Sequence, residues 1–235
     1  MQAASEVLTW IGPDDPFPPV SRALNDPNGL LAAGGDLSLE RLLDAYRHGI
    51  FPWFSRGEPI LWWSPDPRMV LYTGELKVSR SLAKNLRNKG YRVTADTAFE
   101  RVLRGCAGPR RGEPGTWLSA AMQKAYLALH RAGHAHSFET WHEDDLVGGL
   151  YGVALGRMFY GESMFSTGTD ASKVALVGLV RTLVAKGFPL IDCQMKTSLL
   201  ASLGGREIPR AAFLRALTAL VNYAEPPGKW SLVQT

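Results

Sequence analysis

Residues 135–166 read AHSFETWHEDDLVGGLYGVALGRMFYGESMFS, in which apolar and polar side chains alternate in three runs. Two turn signals separate the runs, the acidic triplet at 143–145 and the Gly156-Arg157 pair. Alternation with a period of two is the pattern of strands that pack on one face, and a two-residue connection containing glycine favours a tight hairpin. The stretch therefore predicts three consecutive antiparallel strands.

The segments that follow predict a helix, a strand and a helix. Asp170 is a typical N-cap residue for a helix over 171–186, residues 188–194 read as a short apolar strand, and Pro209 begins a terminal helix over 211–223. This order predicts one mixed, mainly antiparallel sheet with helices packed on it, an α/β fold of the α+β type.

Four helices are predicted before Gly133, over residues 36–49, 79–89, 96–106 and 119–130. In the first of them the apolar residues Leu39, Leu42, Leu43 and Tyr46 recur at helical spacing. Asp36 or Ser38 is suited to cap the first of them. Residues 51–68 contain four prolines, so a packed loop is expected there.

Charge is unevenly distributed along the 235 residues, of which 46% are hydrophobic and 20% charged. Residues 77–111 hold ten Lys or Arg and two acids, a net charge of +8, whereas the remainder carries −4. Arg80, Lys84 and Arg87 fall on one helical face. A polyanion-binding face and a solvated basic helix both produce this pattern, so nucleic acid is one of two readings.

Several common chemistries lack their sequence signals. There is no phosphate-binding G-x-x-x-x-G-K-[ST] or G-x-G-x-x-G loop, and no basic residue precedes Arg22 as a signal peptide requires. Ser163 lies in a predicted strand rather than a sharp strand-to-helix turn, which disfavours a hydrolase triad with His136 and Asp192. A zinc site is disfavoured because a glycine interrupts the segment that carries four histidines, His130, His134, His136 and His142.

Two acidic residues lie in otherwise apolar strand segments. Glu162 and Asp192 are flanked by residues such as Phe159 and Ile191. A carboxylate in such surroundings is costly unless it is paired or used, so both are candidate catalytic groups, with structural hydrogen bonding as the alternative. An acyl-CoA donor is disfavoured, because the loop at 166–173 lacks the second glycine of a pyrophosphate site and places Asp170 where the phosphates would lie.

Long blocks of rare residue types resemble the leucyl/phenylalanyl-tRNA-protein transferase family. They run in order along nearly the whole chain and include DPNGLL (26–31), GIFPWF (49–54), WWSPDPR (62–68), GESMFS (161–166), IDCQ (191–194) and SLG (202–204).

The resemblance implies a small N-terminal domain, residues 1–67, followed by an acetyltransferase-like (GNAT-type) domain, residues 68–235. It implies transfer of Leu or Phe, and less well Met, from aminoacyl-tRNA to the α-amino group of proteins with N-terminal Arg or Lys, in the N-end rule degradation pathway. A cytoplasmic monomer with no metal, cofactor or membrane partner is expected. A CoA-dependent N-acyltransferase and a non-enzymatic RNA-binding module remain alternatives.

The resemblance also assigns roles to individual residues. Glu162, Asp192 and Gln194 match the polar centre, with Asp192 suited to orient or deprotonate the acceptor amine and Gln194 to hold the geometry. Trp53 and Trp117 are expected to stack on the 3′-terminal adenosine of the tRNA, although buried core positions are an alternative. The aminoacyl side chain is expected to enter a pocket of five residues, Leu150, Phe159, Met164, Leu179 and Ile191.

The sequence departs from the family pattern at two positions. Leu199 stands where many members carry a histidine before the S-L-G block, so proposals that involve this histidine do not apply here. Leu179 stands where some members have an aromatic pocket residue, and the pocket is expected to be wider as a result.

Overall fold

The computed structural model describes residues 7–108, 118–224 and 227–232. Within these ranges the chain forms two sheets and seven α-helices. The strands are β1 (Thr9–Ile11), β2 (Leu30–Gly34), β3 (Phe51–Pro52), β4 (Leu61–Trp63), β5 (Arg68–Tyr72), β6 (Tyr91–Ala95), β7 (Ala135–His142), β8 (Asp145–Leu155), β9 (Met158–Ser166), β10 (Leu190–Gln194) and β11 (Arg206–Ile208). The helices are α1 (Leu39–Arg47), α2 (Arg80–Asn88), α3 (Phe99–Cys106), α4 (Ala120–Arg131), α5 (Ala171–Ala185), α6 (Ser198–Ser202) and α7 (Arg210–Val221).

The larger sheet has seven strands in the order β11-β5-β10-β9-β8-β7-β6. The predicted meander of β7, β8 and β9 is confirmed, with Gly156 adopting the positive φ of +57° that its hairpin requires. β10 pairs in parallel with β9, and every other pairing in this sheet is antiparallel. The predicted mixed, mainly antiparallel sheet flanked by helices is therefore confirmed.

The smaller sheet has the order β1-β2-β4-β3, and it corrects the prediction of a loop at residues 51–68. β3 and β4 both lie in that segment and pair antiparallel. β3 is an edge strand, where Pro52 removes no ladder hydrogen bond that a neighbour needs. This sheet is built before residue 67 and the larger one from Arg68 onward, yet Leu42 and Trp62 share one buried cluster with Phe99. A division at 67/68 stays a prediction.

The helix predictions agree with the structure except at two N-termini. Ser38 caps α1 by accepting a hydrogen bond from the backbone N of Arg41. α3 begins at Phe99 instead of residue 96, because Asp96 has a φ of +54° and its carboxylate binds the backbone N of Ser137. Asp170 precedes α5 but makes no capping hydrogen bond, since its carboxylate binds Lys173 and Asn85 instead.

Two apolar cores cover the two faces of the larger sheet. One core contains residues of α1, α3, α4 and α7 together with the smaller sheet, and Tyr160 of β9 points into it. The other contains α5, Phe159 of β9 and Trp230 from the C-terminal segment. Neighbouring residues of β9 thus face opposite cores. None of the helices in the described ranges is both long enough and apolar enough to cross a membrane.

Candidate active site

Two β-bulges lie side by side where the parallel strands β9 and β10 stop pairing. The last paired residues are Tyr160 and Asp192. Beyond them β9 shifts register against β8 and leaves Glu162 as the extra residue, and β10 shifts against β5 ahead of Gln194, whose φ is +62°. Bulges commonly redirect side chains next to active sites. Here they bring the Nε2 of Gln194 to 3.1 Å from the Oε1 of Glu162.

The carboxylate of Glu162 accepts hydrogen bonds from two buried tyrosines. The hydroxyl of Tyr46 on α1 lies 2.8 Å from Oε1, and the hydroxyl of Tyr126 on α4 lies 2.6 Å from Oε2. Burial raises the pKa of Glu162 to about 7, with a smaller rise from the charge of Asp192, although the hydrogen bonds from Tyr126, Tyr46 and Gln194 favour the ionised form. At neutral pH this half-buried carboxylate can therefore both accept and donate a proton.

Both tyrosines remain hydroxyl donors at any physiological pH. Burial raises the pKa of Tyr46 and of Tyr126 well above the usual range, and the neighbouring charge of Glu162 raises both further. The two hydroxyls also lie 3.0 Å apart. The arrangement is a cage of neutral donors that fixes the orientation of the carboxylate.

Asp192 forms a fully buried ion pair with Arg68. The Nε and Nη2 of Arg68 lie 2.8 and 2.6 Å from Oδ1 and Oδ2 of Asp192, and both side chains have no exposed surface. Oδ1 also accepts the backbone N–H of Gln194 at 2.9 Å. The sequence suggested that Asp192 orients or deprotonates the acceptor amine. In the structure its carboxylate has no exposed edge, because both oxygens are hydrogen-bonded beneath the Gln194 bulge.

The guanidinium of Arg68 joins three parts of the chain. Its Nη1 donates to the carbonyl of Gly49 at 3.0 Å, just after α1. Its carbon lies 4.9 Å from the ring centroid of Phe51 and 4.6 Å from that of Phe213. Stacking of this kind suits a weakly hydrated, planar cation in a buried position. The ion pair is thus enclosed by β3, α7 and the turn after α1.

The five residues predicted to form the aminoacyl pocket come together on the α5 face of the sheet. Four are buried in one cluster and Met164, which is partly exposed, packs against it. Leu150 pairs with Met164 between β8 and β9, and Phe159 pairs with Ile191 between β9 and β10, while Leu179 reaches them from α5. The structure therefore groups these side chains, and their contact with an aminoacyl group stays a prediction.

Of the two tryptophans predicted at the terminal adenosine, Trp53 lies at the surface next to β3. Trp53 is 39% exposed, and its ring packs edge-on against that of Trp63, with 5.5 Å between the ring centroids. The Nε1 of Trp63 donates to the carbonyl of Trp53 and holds that backbone in place. Trp53 is not a core residue. Trp117 lies outside the residues that the structure describes.

The basic residues predicted to follow the tRNA backbone lie on α2. Arg80, Lys84 and Arg87 are exposed, and none has an ion-pair partner among the described residues. α2 packs on α5, where Arg87 and Arg181 border an apolar groove of about 310 Å³. The three residues lie on one helix as predicted, and their contact with the tRNA backbone stays a prediction.

The alternative constellations do not assemble. His136 hydrogen-bonds Asp96 at 2.8 Å and stacks on Trp230, while Asp192 binds Arg68, so neither completes a triad with Ser163. His130 stacks on Phe99. In the described ranges no group of three or more His, Cys, Asp or Glu side chains is placed to hold a metal ion.

Comparison with known families identifies the chain. The family model described as leucyl/phenylalanyl-tRNA protein transferase matches residues 70–218, and the model of that family's N-terminal domain matches residues 35–66. The chain belongs to the leucyl/phenylalanyl-tRNA-protein transferase family. It is an aminoacyltransferase that moves an amino acid from tRNA to protein.

Relatives bearing the name of this transferase match over almost their whole length. The leucyl/phenylalanyl-tRNA–protein transferase of Chromobacterium violaceum is 60% identical over 224 residues, covering 95% of this chain and 96% of the relative. That of Thiobacillus denitrificans is 65% identical over 215 residues, covering 92% and 94%.

Similar solved structures include two with 11% identity. One is the structure of L-PGS from Bacillus licheniformis, with a TM-score of 0.45 over 80% of this chain and 71% of that one. The other is a GCN5-related N-acetyltransferase from Kribbella flavida, with a TM-score of 0.35 over 70% of this chain and 58% of that one.

Three residues of the candidate site were not predicted from the sequence. Tyr46 and Tyr126 occupy ordinary core-facing positions of amphipathic helices, and nothing local marks their hydroxyls as donors. Arg68 could have been predicted as a buried charge, because it directly precedes the apolar run of residues 69–71. A buried cation needs an acidic partner, so Arg68 and Asp192 were available as a pair.

Proposed function

We propose that this chain transfers Leu or Phe, and less well Met, from aminoacyl-tRNA to the α-amino group of proteins whose N-terminal residue is Arg or Lys, within the N-end rule pathway. The family supports the donor and the general reaction. The resemblance of the site motifs supports the acceptor. Because the donor is an aminoacyl-tRNA, we place the enzyme in the cytoplasm, and we take it to act as a monomer.

The observation that carries the mechanism is the caged carboxylate of Glu162, whose pKa of about 7 is matched to a proton transfer at neutral pH. The acceptor enters as an α-ammonium and must lose a proton before it can attack. We assign that proton to Glu162, whose oxygens are fixed by Tyr46, Tyr126 and Gln194.

The reaction is the aminolysis of an ester. The neutral amine attacks the aminoacyl carbonyl carbon, a C–N bond forms, and the carbonyl oxygen becomes anionic. Collapse of this intermediate breaks the C–O bond to the tRNA ribose. The ribose oxygen leaves with the proton that Glu162 took from the ammonium. The nitrogen, which still carries one proton more than an amide, gives that proton to the regenerated carboxylate, which releases it to solvent.

Asp192 acts as a positioning residue in this scheme. Its carboxylate binds the backbone N–H of Gln194 and is itself held by Arg68. The bulge that aims Gln194 at Glu162 therefore depends on a buried ion pair. Second-layer contacts of this kind keep a reacting group within the narrow geometry that catalysis requires.

The aminoacyl side chain and the carboxylate are reached from opposite faces of the sheet. Met164 and Phe159 face the α5 core, whereas Glu162 faces Tyr46 and Tyr126 on the other side. The end of pairing between β9 and β10 leaves an interruption between these faces. We place the ester bond there, with the apolar side chain on one side and the acceptor amine on the other.

An apolar pocket accounts for the breadth of the proposed donor specificity. One methylene is worth about 1–3 kcal/mol in such a pocket, so Met is a poorer donor rather than an excluded one. A charged aminoacyl group is rejected because the pocket lining offers no partner for its charge. Trp53 and Trp117 are assigned to the terminal adenosine, and Arg80, Lys84 and Arg87 to tRNA phosphates.

Transfer of radiolabelled Leu from Leu-tRNA to matched peptides that begin with Arg, Lys or Ala tests the proposal. We expect only the Arg and Lys peptides to receive labelled Leu. In a parallel reaction with acetyl-CoA in place of Leu-tRNA, we expect no peptide to be acetylated. Equal labelling of the Ala peptide would remove the acceptor specificity. Acetylation from acetyl-CoA without transfer from tRNA would replace the function with CoA-dependent acyl transfer.

A further inference from the structure

Two arginines hold their guanidinium groups over the indole of Trp141. The guanidinium carbon of Arg92 lies 5.4 Å from the ring centroid, and that of Arg101 lies 4.8 Å away. Arg92 stands on the edge strand β6 directly opposite Trp141 in the register with β7, whereas Arg101 comes from α3. We name these three residues the arginine–tryptophan platform.

The indole is a fixed support for the two cations. Trp141 is only 8% exposed, and its Nε1 donates to the Oγ1 of Thr94 at 2.8 Å. Both arginine side chains belong to exposed residues. Cation–π contact restricts a guanidinium group without using its N–H donors. The platform therefore presents donors to solvent with part of their conformational freedom already removed.

Neither arginine of the platform has an acidic partner among the described residues. Arg104, one turn further along α3, makes the contrast, because it pairs with Glu100 on its own helix. An exposed arginine is ordinarily free to take up such a partner. Two unneutralised and oriented guanidinium groups are suited to bind phosphate oxygens, since their planar arrays of donors match that geometry.

The platform lies on the face of the sheet that carries Glu162. The hydroxyl of Thr140, the residue before Trp141, donates to the carbonyl of Ala171 on α5, so Trp141 points to the opposite face. α3, which supplies Arg101, belongs to the same core as Tyr126. The basic residues of α2 lie on the other side, where α2 packs on α5. Edge strand β6 follows α2 in the chain and carries Arg92.

We propose that the arginine–tryptophan platform binds the phosphate backbone of the donor tRNA, as a second contact separate from α2 and on the reaction side of the sheet. The inference rests on the proposed function, because it takes tRNA as the polyanion. A tRNA that contacts α2 and the platform together passes around edge strand β6.

The experiment measures the Kd of Leu-tRNA between about 50 and 200 mM salt, where phosphate contacts dominate the salt dependence. The Arg92→Ala/Arg101→Ala variant is expected to make the negative slope of log K against log salt shallower by about 1.4–1.8. The Arg92→Lys/Arg101→Lys variant keeps both charges and is expected to retain the slope. Circular dichroism confirms that each variant is folded.

Arg104→Ala is the matched control on the same helix, and we expect it to change the slope little because Glu100 already neutralises Arg104. A wild-type slope in the double Ala variant, or an equal loss in Arg104→Ala, overturns the platform. Transfer to the Arg peptide is measured in parallel. If the double Ala variant transfers Leu and keeps the wild-type salt slope, the platform alone is rejected. If the wild-type protein neither binds Leu-tRNA nor transfers Leu, the proposed function is rejected.

Discussion

Gln194 donates a hydrogen bond from Nε2 to Oε1 of Glu162 across 3.1 Å, and the two residues belong to strands that stop pairing just before them. A side-chain contact thus replaces the backbone ladder at this point. The contact leaves the carboxylate of Glu162, whose pKa is raised by burial, next to an interruption in the sheet.

Replacing Glu162 with Gln is expected to lower the rate of transfer by about 10²–10⁴-fold, because the proton acceptor is lost. In the wild type kcat/KM for the acceptor peptide should rise through pH about 7 as Glu162 ionises. The variant should retain only the rise at pH ~8, where the α-amino group of the peptide loses its proton. A pH profile in which the limb near 7 survives the substitution would contradict the role of Glu162.

Thermal stability gives an independent measure of the same group. Since burial raises the pKa of Glu162 from its ordinary 4.5, the wild type loses stability as pH rises from 4.5 through about 7. The loss is on the order of 3 kcal/mol at most. Glu162→Gln should show a smaller decline over this window, provided that its melting curve is compared with that of the wild type at each pH.

Tyr46→Phe or Tyr126→Phe should move the midpoint of the pH–rate profile upward. Each removes a hydrogen bond that favours the ionised carboxylate, so the pKa of Glu162 rises and less base is present at pH 7. Tyr160→Phe is the control, because that hydroxyl donates to the carbonyl of Tyr46 and does not touch Glu162. Equal shifts in all three variants would point to a general effect of core tyrosines.

Asp192→Asn is expected to abolish most transfer while leaving the affinity for aminoacyl-tRNA largely intact. It also strands the buried charge of Arg68, at a cost of about 3–5 kcal/mol in stability. The double variant Arg68→Met/Asp192→Leu should regain stability without regaining activity, since nothing then holds the Gln194 bulge. Wild-type turnover in either variant would show that the ion pair has no bearing on catalysis.

Trp53→Ala should raise the KM for aminoacyl-tRNA by the equivalent of about 1–3 kcal/mol, and Trp53→Phe should be partly tolerated. Trp10→Ala is a matched control. Trp10 is 68% exposed on β1, at the opposite edge of the four-stranded sheet from β3. If both alanine variants change the KM alike, the effect does not come from stacking on the adenosine.

The triple variant Arg80→Ala/Lys84→Ala/Arg87→Ala tests the basic face of α2. Removing each phosphate contact should lower the salt slope of tRNA binding by about 0.7–1 per residue. The preference for Leu and Phe over other aminoacyl groups should persist, because phosphates carry no information about the amino acid. An unchanged slope would place the tRNA elsewhere.

Local patterns predicted the elements that neighbours in sequence determine. The meander of β7 to β9 follows from alternation and from Gly156, and Ser38 was one of the two caps expected for α1. The smaller sheet was missed because its strands have two to five residues and lie among prolines and small residues. Such short strands are stabilised by their partners rather than by their own propensity.

The site was predictable in its carboxylates and not in their partners. Glu162 and Asp192 stood out as charges in apolar strands, but their different environments depend on residues far away in sequence. Arg68 lies 124 positions before Asp192, and Tyr46 lies 116 positions before Glu162. Composition and spacing cannot show which of two buried carboxylates is neutralised by a cation and which is caged by hydroxyls.

The contact of Arg68 with the carbonyl of Gly49 has a consequence for how the molecule unfolds. Gly49 belongs to the N-terminal segment. Arg68 lies at the start of β5 in the larger sheet, and Asp192 lies in β10 next to the candidate site. Detaching the N-terminal segment would bare the ion pair and both flanking aromatic rings to water. The two sheets should therefore melt as one cooperative unit, with no populated state in which the larger sheet persists without the smaller.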